Sequence, residues 1–314
     1  MGFFISRYSN SEKKLWNSFI LNCKNSHFMF HRDFMDYHSD RFEDFSLIIM
    51  NENNKIVTLL PGNVHKNVFY SHQGLTFGGF LMDKNIHAVD VIEIFDEVKD
   101  FLKINNIEKI IYKPVPVIYH QYPAQEDLYA LFRNDAQLSR RDISSSILIE
   151  KGYNYSKSKQ WSINKARKGG VSCKPIEQPS DLWGVIRAVL KENHQTSPVH
   201  SEAEIDYLKG KFPENIKAYA AFYQDEIVSA CVTFESINVV HTQYLACNRL
   251  GRELRALDML IDYVIAASSD YATIFDFGIS NENNGRYLNN GLISQKESFG
   301  ARAIVYDLYS VDLV

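Results

Sequence analysis

A short apolar segment with one charge at its centre most constrains how this chain folds. Residues Thr273–Phe277 read Thr-Ile-Phe-Asp-Phe, and Gly278 follows. β-Branched and aromatic residues in such a run predict a buried β-strand that the glycine ends. Asp276 is the only charge inside the run, and buried charges are usually paired or functional. Open α/β sheets place their sites where strands end in polar loops, so the polar segment Asn281–Gly285 is predicted to border a site.

Size and composition exclude several classes of protein. The 314 residues favour two domains or one large one, and 45% hydrophobic with 13% aromatic content is enough to build cores. A formal net charge of −4 supplies no global basic field, so nucleic acid is not the expected partner. No apolar run approaches the ~20 residues that span a bilayer, and no secretory leader is recognised. We therefore expect a cytoplasmic protein without membrane insertion, and the scattered cysteines predict no metal site.

The two halves of the chain repeat one order of elements. Each half predicts a hairpin and then a long amphipathic helix followed by a strand. The helix is Ala88–Ile104 in the first half and Glu253–Ala267 in the second. The hairpin segments Asn54–Leu60 and Asp225–Cys231 share an Ile-Val pair after a polar turn. This repetition predicts an α/β protein with mixed sheets and two tandem domains, residues 1–150 and 151–314.

The second half resembles the GNAT acyltransferases. In that family a loop of the form Gln/Arg-x-x-Gly-x-Gly/Ala opens a helix, and its backbone amides hold the pyrophosphate of coenzyme A. Here the loop runs from Asn248 to Arg255, with Gly251 at the matching position and Glu253 where a small residue is usual. The resemblance implies an acyl-coenzyme A site in the second domain. Its cofactor-binding residues would be Asn248, Arg249, Gly251, Arg252 and Arg255.

The tandem arrangement resembles the FemAB-like branch of these transferases. The segments that carry this resemblance are Trp161–Lys168, between the halves, and Gln295–Ala301, near the end. The segments His31–Asp44 and Ser71–Gly79 are similar to a bacterial subgroup that N-acylates nucleotide-linked amino-dideoxy sugars. The resemblance implies two tandem GNAT-like domains. It also implies transfer of an acetyl or 3-hydroxybutanoyl group from coenzyme A to a dTDP-linked amino-dideoxyhexose for a surface polysaccharide such as O-antigen, without a metal.

Such a reaction needs a base for the attacking amine, support for an oxyanion, and an acid for the leaving thiolate. His241, on the strand before the coenzyme A loop, and His72, beside a glycine-rich loop, are the two candidate bases. Asp276 can orient a base or bind the amino sugar. Tyr287 stands four residues before Gly291 and so fits the acidic tyrosine of the family. Each of these side chains is also compatible with a structural role in a core or a loop.

Candidate substrate-binding residues are mostly found in the first half. They combine imidazole, guanidinium, ammonium and phenol groups, which suit a sugar, a diphosphate or a stacked ring. They are His31, Arg32, Tyr37, His38, Tyr119, His120 and Lys165. A helix with ordinary surface charges is the alternative interpretation of the same residues.

Two other functions remain open. One is a FemAB-type aminoacyl transferase that uses aminoacyl-tRNA and a cell-wall precursor. The other is a non-catalytic nucleotide-sugar-binding module. This interpretation stays open because Glu253 occupies a position of the coenzyme A loop where a small residue is usual. For the leading interpretation the expected partners are a nucleotide-linked amino sugar and acyl-coenzyme A, and a homodimer is one of the oligomeric states open to the chain.

Overall fold

The computed structural model describes residues 2–313, except for the side chains of Asn193 and His194. The described chain forms two compact units. Unit 1 is drawn from Met1–Asp142, Asn283–Arg286 and Val305–Val314, and unit 2 comprises Ile143–Glu282 and Tyr287–Ile304. The first division therefore falls near residue 142, whereas the sequence placed it at 150. The return of the end of the chain to unit 1 was not predicted.

The described strands are short in the first half of the chain and longer in the second. In chain order they are β1 Phe4–Arg7, β2 Glu43–Asp44, β3 Leu47–Met50, β4 Ile56–Leu60, β5 Asn63–His65, β6 Val68–Tyr70, β7 Leu81–Met82, β8 Lys109–Tyr112, β9 Gln137–Leu148, β10 Ser172–Ile176, β11 Ile216–Tyr223, β12 Glu226–Glu235, β13 Val239–Cys247, β14 Ile274–Ile279, β15 Asn281–Glu282, β16 Tyr287–Leu288 and β17 Arg302–Asp312.

The helices range from one turn to nearly five turns. In chain order they are α1 Lys13–Ile20, α2 Arg32–Met35, α3 Ala88–Ile104, α4 Glu126–Arg133, α5 Lys157–Lys168, α6 Trp183–His194, α7 Glu202–Lys211, α8 Arg249–Leu254, α9 Ala256–Ser268 and α10 Asn290–Glu297. Short 3₁₀ turns occur at Asn10–Glu12, Phe28–Phe30, Asp36–His38, Val117–Tyr119, Ile149–Lys151 and Pro179–Leu182.

Unit 1 contains two groups of paired strands around one long helix. The first has the order β1-β3-β4-β7, and in the second β2, β5, β6, β8 and the end of β17 are neighbours in that order. Strands β6 and β8 are parallel, and α3 connects them, as a crossover between parallel strands requires. The apolar stripe of α3, which includes Val91, Phe95 and Leu102, is buried in the core of this unit. The predicted helix Ala88–Ile104 is confirmed with the same bounds.

Unit 2 orders its strands β10-β11-β12-β13-β14-β9. Neighbours are antiparallel except for β13 and β14, which are parallel. Helices α8 and α9 connect this parallel pair, and α9 buries Leu260, Ile261 and Val264 against the sheet. Each unit therefore has a parallel pair of strands joined through a long helix, which matches the repeated order of elements in the sequence.

Three local features of the structure differ from what the sequence predicts. The helix expected over Glu253–Ala267 is divided into α8 and α9 at Arg255, whose left-handed backbone (φ 62°) interrupts it. Helix α10 was not predicted, because its apolar positions show little helical spacing. Strand β9 begins at Gln137, although the polar side chains that fill its first half do not predict a strand.

A buried carboxyl group in unit 1 gives a pH-dependent stability. Asp127 in α4 is almost fully buried, and the Tyr112 hydroxyl donates to its Oδ2 at 2.8 Å. Burial raises the pKa of Asp127 to about 7 and outweighs the hydrogen bond from Tyr112. Because this pKa is raised in the folded state, the stabilising contribution is full at acidic pH and is lost as the pH rises to about 7.

We therefore expect the melting temperature of the wild-type protein to fall between about pH 5 and 8 more than that of Asp127→Asn, which cannot ionise. Thermal melts across this range measure the difference. Asp135→Asn is the matched control, because Asp135 is exposed. Parallel curves for the wild type and Asp127→Asn would contradict the assignment.

Candidate functional site

The two parallel strands of unit 2 separate soon after they meet. Strands β13 and β14 are paired only from Val239–His241 to Ile274–Asp276, although both continue further. Just beyond His241, the register between β12 and β13 shifts, so that Gln243 has no partner residue on β12. Such bulges redirect side chains and are frequent beside active sites. His241 and Asp276 form the last pair before the strands separate.

The side chains of this last pair are hydrogen-bonded to each other. His241 Nδ1 lies 2.7 Å from Asp276 Oδ2. The other carboxylate oxygen, Oδ1, accepts hydrogen bonds from Ser144 Oγ at 2.6 Å and Ser146 Oγ at 2.7 Å, both on β9. Asp276 is fully buried, while the His241 side chain remains 15% exposed. The carboxylate is thus held on several sides, and the imidazole is the part of the pair that reaches solvent.

The electrostatic environment keeps Asp276 ionised. Burial by itself would raise the pKa of this carboxyl group, but the hydrogen bond of His241, the charge of this imidazole when it is protonated, and the two serine hydroxyls hold the pKa below its ordinary value. An ionised carboxylate at Oδ2 requires the proton of His241 to sit on Nδ1. Nε2, for which the described chain supplies no hydrogen-bond partner, is then the basic nitrogen. This is the arrangement of a histidine base oriented by a carboxylate.

The backbone after Asp276 is shaped by a glycine and a lysine. Gly278 has φ 76°, and a Cβ there would lie 3.1 Å from His241 Cε1. Lys296 of α10 donates from Nζ to the carbonyl oxygens of Gly278 and Ile279, each at 2.8 Å, and contacts Ser280 Oγ at 2.9 Å. Burial lowers the pKa of Lys296 to about 8, against the opposing charge of Asp276. These contacts fix the end of β14 beside the imidazole.

His72, the other candidate base, lies in unit 1 in a different environment. It is almost fully buried in a left-handed backbone (φ 72°), and its Nδ1 accepts a hydrogen bond from the Gly74 amide at 3.2 Å. Burial, with nearby positive groups, lowers its pKa to about 3. An imidazole with this pKa is a weak base at neutral pH, which makes His72 poorly suited to take a proton there.

Tyr287, the candidate acid, stands in the small hairpin of β15 and β16. Its side chain is largely exposed. The neighbouring Asn289 caps α10 by accepting from the Leu292 amide at 3.0 Å. An exposed phenol is free to meet a ligand, but no contact in the described chain aims it at His241.

The loop from Asn248 to Arg255 satisfies part of its own hydrogen bonding. Asn248 Oδ1 accepts from the Gly251 amide at 2.8 Å and so caps α8. A Cβ at Gly251 would lie 2.4 Å from the Val228 carbonyl oxygen, which gives this glycine a packing role. Arg249 is exposed and pairs with Glu253 at 3.3 Å. Arg252 is also exposed, whereas Arg255 forms the junction between α8 and α9.

Some of the candidate substrate-binding residues share surroundings in unit 1. Arg32 and His38 line one cavity together with His72. His31 and Tyr37 flank it on the chain; His31 pairs with Asp33 at 3.1 Å, and the Tyr37 ring packs against His38.

The other three lie apart from that cavity. The buried Tyr119 contacts the Tyr306 hydroxyl at 3.2 Å, and His120 Nε2 lies 2.8 Å from the Val115 carbonyl oxygen. Lys165 is exposed on α5, with its ammonium 5.3 Å from the centre of the Trp161 ring.

Sequence reasoning missed the groups that hold the candidate base in place. Ser144 and Ser146 stand two residues apart on β9, so both face the same side of the sheet, and this spacing is the signal that was available. Lys296 gave no such signal, because a lysine at this position of a polar helix usually points into solvent.

Comparison with known proteins gives a likeness of fold. No family model and no curated protein sequence matches the chain. FemX superposes with a TM-score of 0.70 at 9% identity, over 97% of this chain and 96% of FemX. The C-terminal domain of a protein named as a putative lysylphosphatidylglycerol synthetase, from Agrobacterium fabrum, gives a TM-score of 0.64 at 11% identity, over 96% of this chain and 92% of that domain. A tandem GNAT protein from the clavulanic acid biosynthesis pathway gives a TM-score of 0.54 at 8% identity, over 100% of this chain and 99% of that protein.

These likenesses establish the fold as a tandem, FemAB-like arrangement of GNAT-like units, and the predicted fold class is confirmed. Among the described side chains, no three His, Cys, Asp or Glu groups are arranged to hold a metal ion. Within residues 2–313, no helix combines the length and the apolar character needed to cross a membrane.

Gly251 offers a direct test of the packing at the start of α8. An alanine Cβ would meet the Val228 carbonyl oxygen and, at 2.8 Å, Cys247 Sγ. We therefore expect Gly251→Ala to lower the free energy of unfolding by about 1–3 kcal/mol, measured by urea denaturation. Gly184→Ala in α6 is the control, since its Cβ would meet open space and the change should be neutral or stabilising. Equal stabilities of the two variants would contradict this packing role.

Proposed function

We propose that this chain is an acyl- or aminoacyl-transferase in which His241 of unit 2 is the general base and Asp276 orients it. The observation that carries the proposal is the His241–Asp276 pair, with Nδ1 2.7 Å from Oδ2, at the point where two parallel strands separate. Strand ends of this kind are where α/β sheets place their ligands. The transferase class is supported by the likeness to FemX and to a tandem GNAT protein.

The geometry gives each group a defined part in the reaction. His241 Nε2 accepts a proton from the attacking amine or hydroxyl, and the new bond forms at the carbonyl carbon of the donor. Asp276 accepts the Nδ1 hydrogen bond and stabilises the imidazolium, while Ser144 and Ser146 keep the carboxylate ionised. The tetrahedral intermediate then expels its leaving group, an alkoxide or a thiolate, which takes the proton from the His241 imidazolium and so restores the base. Positioning and this proton transfer supply the rate enhancement.

Within this class, an aminoacyl ester of tRNA is the donor that the structure favours. The loop expected to hold the pyrophosphate of coenzyme A uses its Gly251 amide for Asn248 and places Glu253 beside Arg249. Both features reduce its attraction for a diphosphate. Helix α5 carries the exposed basic residues Lys165 and Lys168, a local patch that suits a nucleic-acid backbone despite the negative net charge.

The second candidate is transfer from acyl-coenzyme A to a dTDP-linked amino sugar. Arg249 and Arg252 support it, because both guanidinium groups remain exposed beside their partners Glu253 and Glu192, and a guanidinium binds phosphate well. For this candidate, the acceptor sugar and the acyl group are the ones implied by the resemblance of the first half to sugar N-acyltransferases.

Removal of the base tests the shared chemistry. We expect His241→Ala to lower kcat about 10²–10⁴-fold, because the attacking group must then lose its proton to water. Asp276→Asn should also lower kcat, since the amide no longer fixes the proton on Nδ1. Steady-state transfer assays with each donor measure both effects. His65→Ala is the control, because His65 is exposed in unit 1 and should leave kcat unchanged. Wild-type rates for His241→Ala would contradict the role of His241.

A binding measurement distinguishes the two candidate donors, acyl-coenzyme A and aminoacyl-tRNA. A ligand at 100 times its Kd stabilises the folded state by about 2.7 kcal/mol, so saturating acyl-coenzyme A should raise Tm only if it is bound. We expect no shift with acyl-coenzyme A and transfer with aminoacyl-tRNA. A shift in the wild type that disappears in Arg249→Ala would instead establish the coenzyme A donor. Lys84→Ala, at an exposed lysine of unit 1, controls for the loss of a positive charge.

A further inference from the structure

Lys113 follows β8 directly in unit 1, and its backbone is fixed on both sides. Its amide donates to Ser71 Oγ at 2.7 Å, and its carbonyl oxygen accepts from the Gly78 amide at 2.7 Å. The next residue, Pro114, forms a parallel β-bridge with Gly78. Ser71 and Gly78 therefore hold the two ends of one loop against the end of β8, and the Lys113 side chain is anchored beside that loop.

The side-chain nitrogen of Lys113 has an uncharged partner. Nζ donates to the carbonyl oxygen of Leu75, which belongs to the same loop. Within residues 2–313, no aspartate or glutamate forms an ion pair with this lysine, and the charge that acts on it is the positive charge of Arg140 on β9. Arg140 is itself paired with Asp142, at 2.7 Å. A partly buried ammonium without a carboxylate partner is disfavoured relative to the neutral amine.

The balance between the two forms of Lys113 follows from these surroundings. Burial, with Arg140 nearby, lowers the pKa of Lys113 to about 8. At pH 8 about half of this side chain is then a neutral amine, against about 0.4% for a lysine with the reference pKa of about 10.4. Burial lowers the pKa of its titratable neighbour His72 to about 3, so that imidazole carries no charge at this pH.

Three buried lysines show why the surroundings of Lys113 are different. Lys24 pairs with Glu126, and Lys159 pairs with Asp258. Burial lowers the pKa of Lys296 to about 8 as well, but its three N–H groups face three acceptors and its side chain is almost fully buried. A reactive amine must be accessible as well as neutral. The Lys113 side chain meets both conditions, because it is partly exposed.

We propose that Lys113 is a site of covalent acylation by acyl thioesters. The Leu75 carbonyl oxygen accepts one N–H of the neutral amine, so the lone pair of Nζ is free to attack. Nζ attacks the carbonyl carbon of the thioester, a C–N bond forms, and the C–S bond breaks. The thiolate leaves with the electron pair of that bond and takes up, through solvent, the proton that the amine loses. The products are an amide at Lys113 and a free thiol.

The modified side chain is compatible with the fold of unit 1. An amide at Nζ keeps one N–H for the Leu75 carbonyl oxygen, and it removes the positive charge that repels Arg140. Acylation therefore takes one positive charge away from the Ser71–Gly79 segment without removing its anchor. This inference is independent of the proposed function, because the thioester reacts with the lysine itself and the product is measured on the protein.

The test is site-resolved mass spectrometry of the full-length protein after incubation with acetyl-coenzyme A at pH 8. A lower pKa also weakens a nucleophile, with a Brønsted slope of about 0.4–0.5 for thiols, so a gain of about 100-fold in neutral amine leaves about tenfold in rate. We expect Lys113 to be acetylated about tenfold faster than the exposed Lys84, and Lys296 to be acetylated more slowly than either. The rate at Lys113 should level off above about pH 8.

Two variants identify the origin of the reactivity. Arg140→Gln removes the nearby positive charge, so the rate at Lys113 should level off at a higher pH than in the wild type. His241→Ala should be acetylated at Lys113 at the wild-type rate, whatever its effect on transfer. The proposal is overturned if Lys113 reacts no faster than Lys84, if Lys296 reacts as fast as Lys113, or if His241→Ala abolishes the modification, which would make it a product of the transfer site.

Discussion

The buried carboxylate of Asp276 is the constraint on which the architecture of unit 2 depends. A charge removed from water is tolerated only when hydrogen bonds and a counter-charge replace its hydration. Three side chains from two other strands provide this replacement: Ser144 and Ser146 on β9 and His241 on β13. The order β13-β14-β9 is therefore required by the chemistry of one residue as well as by apolar packing. The same bonds fix the orientation of His241, so stability and reactivity share one set of contacts.

The sequence predicts much of this architecture but little of the pairing within the site. The run around Asp276 identifies a buried strand, because β-branched and aromatic residues in a short run favour one strongly. His241 is a candidate for the same general reason as His72. Only the parallel register of β13 and β14 places His241 opposite Asp276, and no local pattern encodes a register between segments 35 residues apart. The contribution of Lys296 depends on the same long-range geometry.

The sequence predicts the cavity of unit 1 no better than it predicts the pairing of His241 with Asp276. The polar and aromatic residues from His31 to Asp44 mark a segment of interest, yet the same residue types are typical of a solvated surface. What decides between the two is the compact conformation of the Ser71–Gly79 segment, where His72 has a positive φ and Gly74 leaves room for His38. A residue other than glycine in the left-handed region is seldom predictable, because tertiary contacts must outweigh its local strain.

The return of β17 to unit 1 has a consequence for biosynthesis. Residues Tyr309–Asp312 pair with β8, and Val311 and Leu313 belong to the core of unit 1. The ribosome synthesises the residues of unit 2 before these residues. This edge of β8 therefore has no partner strand while almost 200 later residues are translated. Contacts of such sequence separation form slowly. The nascent chain therefore exposes an aggregation-prone strand edge during synthesis, and unit 1, although first in the sequence, is the last to be completed.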